Sequence, residues 1–152
     1  MKLSKTRCIS HCRSDVYATV EITLNDLVCD TQEWVDVKGL RVCSLEDILA
    51  EKLRSLLQQK TRKRNRWQDV YDICVYVRRE AFDREKVARF LDQKSEIRQI
   101  EVRKSSFDEE VRKRAALDYD IHVATEAPKN KIPFDEAWEA VRSLVEALNI
   151  SE

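Results

Sequence analysis

Lys52 stands three residues after Leu49, four after Ile48 and four before Leu56, so a helix through this stretch projects it from the middle of its own apolar stripe. A buried ammonium without a partner is strongly unfavourable, so the lysine either stretches its stem to water or meets a carboxylate or phosphate. Asp69 and Asp72, three residues apart in a following helix, put two carboxylates on one edge, with Tyr76 one further turn along. Such a pair can bind a divalent cation or face Lys52. Taken alone it also reads as a solvated acidic edge, with Asp69 favoured by the positive end of its helix. Lys60, Arg62, Lys63, Arg64 and Arg66 place five cations in seven residues, enough for several phosphate contacts and a salt-sensitive affinity for nucleic acid or nucleotide. The same run also reads as a solvated connection between helices. Trp67 is read as sealing the start of the next helix rather than stacking on a base. Glu21 lies on the polar face of a strand between Thr19 and Thr23. Cys8, His11 and Cys12 are spaced like a metal corner, but no second Cys or His pair completes four ligands, and a zinc site is rejected.

These groups are carried on 152 residues, the length of one ordinary domain, of which 43% are hydrophobic and 37% charged. Twenty-eight basic residues balance 28 acidic ones, so polyanion binding must come from a local patch rather than a global field. The single glycine, Gly39, excludes phosphate-cradling P-loops, dinucleotide turns and nucleophile elbows, all of which need several positions without a Cβ. Two prolines, few aromatics and abundant Glu, Lys, Arg and Leu lean toward helix. Five cysteines without a secretory apolar segment or a membrane-length apolar run point to a reduced cytoplasm and no membrane.

The elements that must position the site follow from periodicity. Val16, Ala18, Val20, Ile22 and Leu24 alternate with polar residues as in a half-buried strand, and a second β-rich stretch over 34–42 carries Gly39 as a turn or bulge. Ser44 caps a helix, with Asp47 three residues on completing a capping box, and Ile48, Leu49, Leu53, Leu56 and Leu57 form its stripe. The polar stretch 58–66 then leads to a helix over 67–79 buried through Val70, Ile73, Cys74 and Val77. Further helices are expected over 83–92, capped by Asp83 and packed through Val87, Phe90 and Leu91, and over 95–103. Another starts at a capping box over 106–109 and runs toward Val123, and a last one is capped by Asp135, with Trp138, Val141, Leu144, Val145 and Leu148 on one stripe.

The stretch Ser44-Leu45-Glu46-Asp47-Ile48-Leu49-Ala50-Glu51-Lys52-Leu53, the basic run, and then Arg64-Asn65-Arg66-Trp67-Gln68-Asp69-Val70-Tyr71-Asp72-Ile73 resemble the corresponding segment of the AbiEii/AbiGii nucleotidyltransferase toxin family. The strand 19–23 and the helix opening at Pro133-Phe134-Asp135-Glu136-Ala137-Trp138 fit the same pattern, and the resemblance spans about residues 16–148. It implies a DNA-polymerase-β-like core joined to a helical C-terminal region, the toxin of a type IV toxin–antitoxin or abortive-infection system that binds NTPs with Mg²⁺ and transfers nucleotides, in some members onto tRNA. On this resemblance Lys52 contacts the nucleotide phosphates, Asp69 stands in the late acidic catalytic motif, Arg66 and Asp72 support nucleotide binding, and Glu21 matches the strand acid of the metal motif. Arg62, Lys63 and Arg64 are the candidate nucleic-acid contacts.

The family's early Gly-Ser turn and its Asp-x-Asp strand are not found in the sequence, and Asp118-Tyr119-Asp120 lies in a helical pattern near the C-terminus with no Gly-Ser before it. The expected protein is therefore α/β of the α+β kind and mostly helical: a small partial sheet of a nucleotidyltransferase-like core over 1–43, then a helical region over 44–152. It is expected to be a truncated or split nucleotidyltransferase, silent alone, needing an N-terminal half or self-association through an exposed strand edge, with an antitoxin and tRNA or other RNA as further partners. A non-enzymatic nucleic-acid or protein binding module built on 60–66 is the alternative, and a helical interaction protein without a ligand is the third reading.

Overall fold

The computed structural model describes residues 6–8, 18–20, 27–33, 38–62 and 64–152. Two short antiparallel ladders precede the helices: β1 (Thr6–Cys8) with β2 (Ala18–Val20), and β3 (Thr31–Glu33) with β4 (Arg41–Cys43). β2 falls inside the alternating stretch read from sequence, whose flanks at 16–17 and 21–24 lie outside the described residues. The second ladder corrects the expected 34–42 strand. Its paired residues are Thr31↔Cys43, Gln32↔Val42 and Glu33↔Arg41, and the chain turns at Gly39, whose φ of +82° is a conformation glycine adopts without strain. Glu33 fixes that turn by accepting a hydrogen bond from the Gly39 amide at 2.8 Å.

Six helices follow: α1 (Leu45–Arg62), α2 (Trp67–Arg79), α3 (Arg84–Ile97), α4 (Glu109–Ala116), α5 (Tyr119–Glu126) and α6 (Phe134–Ala147). The chain is thus a mostly helical α+β protein. Among the described residues no helix is long and apolar enough to cross a membrane. α1 packs chiefly on α3, and α2 on α6, around one core. Leu49, Leu53, Leu56 and Leu57 of α1, Val70, Ile73 and Cys74 of α2, Val87, Phe90 and Leu91 of α3, and the α6 stripe from Trp138 to Leu148 are all buried, at the positions their periodicity assigns.

Helix ends show where local signals win. Ser44 caps α1, its hydroxyl accepting from the Asp47 amide at 3.2 Å. The box is not reciprocal, because the Asp47 carboxylate turns inward to accept from the Cys29 amide at 2.8 Å. α1 continues through Lys60 and Arg62, so part of the basic run is helix, and the described part of the connection to α2 is 64–66.

The expected break between 92 and 95 is absent. α3 has no glycine or proline there and needs Lys94 and Ser95 on its buried side, so it ends later, at a Schellman closure: Gln99 takes a left-handed φ of 55° and the Ile100 amide bonds to the Ser95 carbonyl at 2.9 Å. Residues 98–103 are consequently not helical.

Asp108, not Ser106, caps α4, accepting from the Glu110 and Val111 amides at 3.0 Å each. The helix expected to reach Val123 is interrupted at Asp118, with φ 60°, which aspartate tolerates better than most residues. Apolar residues recurring every fourth position drift by about 40° per repeat around a helix. The break resets that drift, so that Val111, Ala115, Tyr119 and Val123 are all buried. α6 begins one residue after Pro133 rather than at an Asp135 cap, because buried Phe134 enters the core there. The Asp135 carboxylate instead accepts from Arg112 at 2.6 Å.

The Asp108 cap yields a direct expectation. Its carboxyl is pulled below the usual carboxylate range: the modest burial that opposes this is outweighed by Lys60, 2.6 Å away, and by the two amides. A depressed carboxylate contributes stability above its unfolded pKa that is lost as pH falls through the folded value. Asp108→Ala should therefore cost about 1 kcal/mol at neutral pH by urea denaturation. The difference from wild type should close below pH 4; a difference that persists in acid would show that the cap does not act through its charge.

Candidate functional site

The α1–α2 pair builds the charged centre. α1 is amphipathic over its whole length, and Lys52 follows Ile48 by one turn on the side turned toward α2. The side chain can neither enter the leucine core nor ignore it. Its Nζ donates to Asp72 Oδ2 at 2.7 Å and to Asp69 Oδ1 at 3.3 Å. Of the readings open for the acids (cation ligands, partners of Lys52 or a solvated edge), the geometry shows both facing Lys52. Side-chain exposures of 18% for Lys52, 13% for Asp69 and 39% for Asp72 separate their roles. Asp69 is the more enclosed of the two acids, whereas Asp72, which makes the shorter contact, lies nearer the solvent.

The electrostatics follow from burial. Burial alone would lower the Lys52 pKa, but the two carboxylates outweigh it and hold the ammonium above its ordinary range. Burial pushes the Asp69 carboxyl up, with Lys52 and Arg66 pulling back only in part. Arg66 Nη1 lies 3.9 Å from Asp69 Oδ2, too far for a hydrogen bond, and that oxygen is buried without a hydrogen-bond partner among the described residues. Two cations and two carboxylates therefore make a nearly neutral cluster with one unsatisfied acceptor, Asp69 Oδ2.

The structure does not bring the other sequence candidates to this centre as a group. Arg62 and Arg64 are exposed, at the end of α1 and in the connection. Lys60, from the same run, is bonded to Asp108. Glu21 and Lys63 lie outside the described residues, as do Cys12 and His11 and the side chain of Cys8. Trp67 seals the start of α2: its ring stacks on His122 at 4.7 Å with planes 3° apart and meets Tyr119 edge-on at 6.4 Å.

A second charged feature was not visible from sequence. Asp47, Glu51, Arg54, Ser55 and Gln58 follow one another at helical spacing along a further face of α1, and this polar face is mostly buried against α3. Lys94 of α3 closes it, 3.1 Å from Asp47 Oδ1 and 3.8 Å from Glu51 Oε2, and also donates to the Leu27 carbonyl. Arg54 bonds Glu51, Ser55 and Gln58. Burial pushes the neighbouring Cys29 and Cys43 thiols up, and the Asp47 carboxylate adds to this. A raised thiol carries less thiolate and is the less reactive for it. The signal that could have found the seam is the spacing 47, 51, 54, 58, which matches an apolar stripe but is filled with polar residues.

Among the described residues no cluster of three or more His, Cys, Asp or Glu side chains could hold a metal ion. An ammonium partly open to solvent with a second cation nearby can pair with an anion as well as with the two carboxylates. A family model described as nucleotidyl transferase AbiEii toxin, type IV TA system, matches residues 12–142. No curated protein and no solved structure gives a significant match.

Proposed function

The chain belongs to the AbiEii family of nucleotidyltransferase toxins of type IV toxin–antitoxin systems, and on that premise we propose that its α1–α2 pair is the phosphate-holding side of a nucleotidyltransferase site. The observation that supports this most directly is the Lys52 ammonium held between a buried and an exposed carboxylate on the neighbouring helix. An incoming phosphate takes the place of Asp72 on Lys52, while Asp69 keeps the ammonium aimed. Arg66, whose ion contact among the described residues is a long one to Asp69, supplies a second donor to the phosphate chain.

Nucleotidyl transfer of this kind uses Mg²⁺ to neutralise the triphosphate and the departing pyrophosphate. The described residues do not make a ligand set for it; Glu21, or acids of a separate segment carrying the Asp-x-Asp motif, would hold it, and the chain alone binds nucleotide without turning it over. An antitoxin as physiological partner follows from the family, and RNA as acceptor is consistent with exposed Arg62 and Arg64, next to the site in sequence.

The test is calorimetric titration of the full chain with ATP, GTP, CTP and UTP, each with Mg²⁺. At least one should bind, and Lys52→Ala should weaken it about 10- to 100-fold, the worth of one hydrogen bond to a charged group. No binding by wild type, or equal binding by the variant, removes the assignment. A loss of RNA affinity on changing Arg62 and Arg64 to alanine, with Lys52→Ala indifferent, would favour the binding-module alternative.

A further inference from the structure

Between the β3–β4 hairpin and the α1–α2 pair lies a cleft of about 650 Å³ with apolar walls from Val42, Leu45, Ile48 and Tyr76 and the carboxylates of Glu46 and Glu80 in its lining. We propose that this cleft is the nucleobase subsite of the phosphate site, and that its acidic lining favours bases bearing an exocyclic amino group; the inference rests on the phosphate reading of Lys52.

Three observations converge on this occupant. The first is position. Ile48 precedes Lys52 by one turn on α1 and Tyr76 follows Asp72 by one turn on α2. The cleft therefore opens about 6 Å along both helices from the charged centre. A nucleotide held by its phosphates at Lys52 has the reach to place its base in a cleft one helical turn away.

The second is the state of the walls. Val42, Leu45, Ile48 and Tyr76 are all half-buried rather than enclosed, although each belongs to a regular element next to the core. They form a one-sided apolar slot with an aromatic ring, the surface on which a flat heterocycle stacks. The volume is within the range of small-ligand sites.

The third is the polar lining. Glu80 is exposed at the C-cap of α2, and Glu46 already places one oxygen on the Asp83 amide at 3.0 Å. Carboxylates accept and do not donate, so they suit the amino groups of adenine, guanine and cytosine. They oppose the carbonyls on either side of the single ring N–H of uracil. The cleft between α4 and α6 is different in character: it is lined by Arg112 and Arg142, already paired with Asp135 and Glu139.

The experiment compares inorganic tripolyphosphate with the four NTPs, each with Mg²⁺, on the full chain by calorimetry. Wild type should bind an amino-bearing NTP at least 10-fold more tightly than tripolyphosphate and about 5-fold or more above UTP. Tyr76→Ala, and Tyr76→Leu as the variant that keeps bulk without the ring, should lower NTP affinity about 10-fold while leaving tripolyphosphate within 2-fold. Glu80→Gln should erase the discrimination against UTP. Tripolyphosphate binding as tightly as every NTP, or Tyr76 variants weakening both ligands equally, overturns the base subsite and leaves the phosphate site standing. Failure of tripolyphosphate and all NTPs to bind overturns the phosphate reading and the subsite with it.

Discussion

Lys94→Ala is expected to cost about 3–5 kcal/mol of folding stability, the usual penalty for leaving one partner of a buried ion pair behind. Both side chains of the pair with Asp47 are only 4% exposed. Removing the ammonium leaves the Asp47 carboxylate with the Cys29 amide as a neutral donor and with Glu51 as a nearby like charge. It also frees the Leu27 carbonyl, to which Lys94 donates, and so loosens the segment leading into β3. For a domain whose total stability is about 5–15 kcal/mol, this is a loss of about 10 °C or more in Tm. Urea denaturation followed by circular dichroism measures it. The double variant Lys94→Met with Asp47→Asn should be more stable than Lys94→Ala, because no unpaired charge stays inside. A single-variant loss below about 1 kcal/mol would show that water reaches the pair and that the seam is not a buried network.

The contrast between Lys94 and Lys52 shows what a sequence makes legible. Lys52 stood out because it interrupts a leucine stripe, and its two aspartates could be named because they share one edge of the next helix. Lys94 sits among Gln93 and Ser95, where nothing marks it as buried. Its burial comes from the α1–α3 contact, a long-range fact that helical spacing does not carry. Asp47 illustrates the same limit: its place three residues after Ser44 identifies the cap correctly, but the destination of its carboxylate is set by Lys94 and by the backbone at Cys29. The boundaries that moved did so for equally physical reasons. Gln99 and Asp118 take left-handed conformations usually given to glycine or asparagine, so neither helix end carried a glycine signal. The nucleobase cleft was legible only in fragments, as Tyr76 one turn beyond Asp72. Its third wall comes from the β3–β4 hairpin, whose pairing differs from the strand that alternation suggested.

Lys52→Ala should produce a loss of stability that depends on pH in a way no packing defect imitates. In the wild type the Lys52 pKa is raised, so its contribution is complete below its ordinary value near 10.5 and is lost only as pH rises through the higher folded value. Asp69 is also raised, through burial, above its ordinary value near 3.8. Its ionised form is therefore a cost at neutral pH that is relieved as pH falls through the folded value toward that range. Taking away the ammonium 3.3 Å from Asp69 removes the attraction that opposed burial, and the cost grows. At pH 7 the variant should lose about 3 kcal/mol, at the low end for a broken buried pair because Arg66 remains within 3.9 Å. Between pH 7 and pH 4 the gap from wild type should narrow as Asp69 takes up its proton. Adding Asp69→Asn to Lys52→Ala should recover most of the loss at pH 7 and flatten the pH dependence, since the amide has no charge to bury. Urea midpoints across that range read all three proteins. A gap independent of pH, or one that Asp69→Asn fails to reduce, would mean that Lys52 matters only through its stem against the leucines. The carboxylates would then not be what aims its ammonium, and the phosphate site would lose the preorganised cation on which it depends.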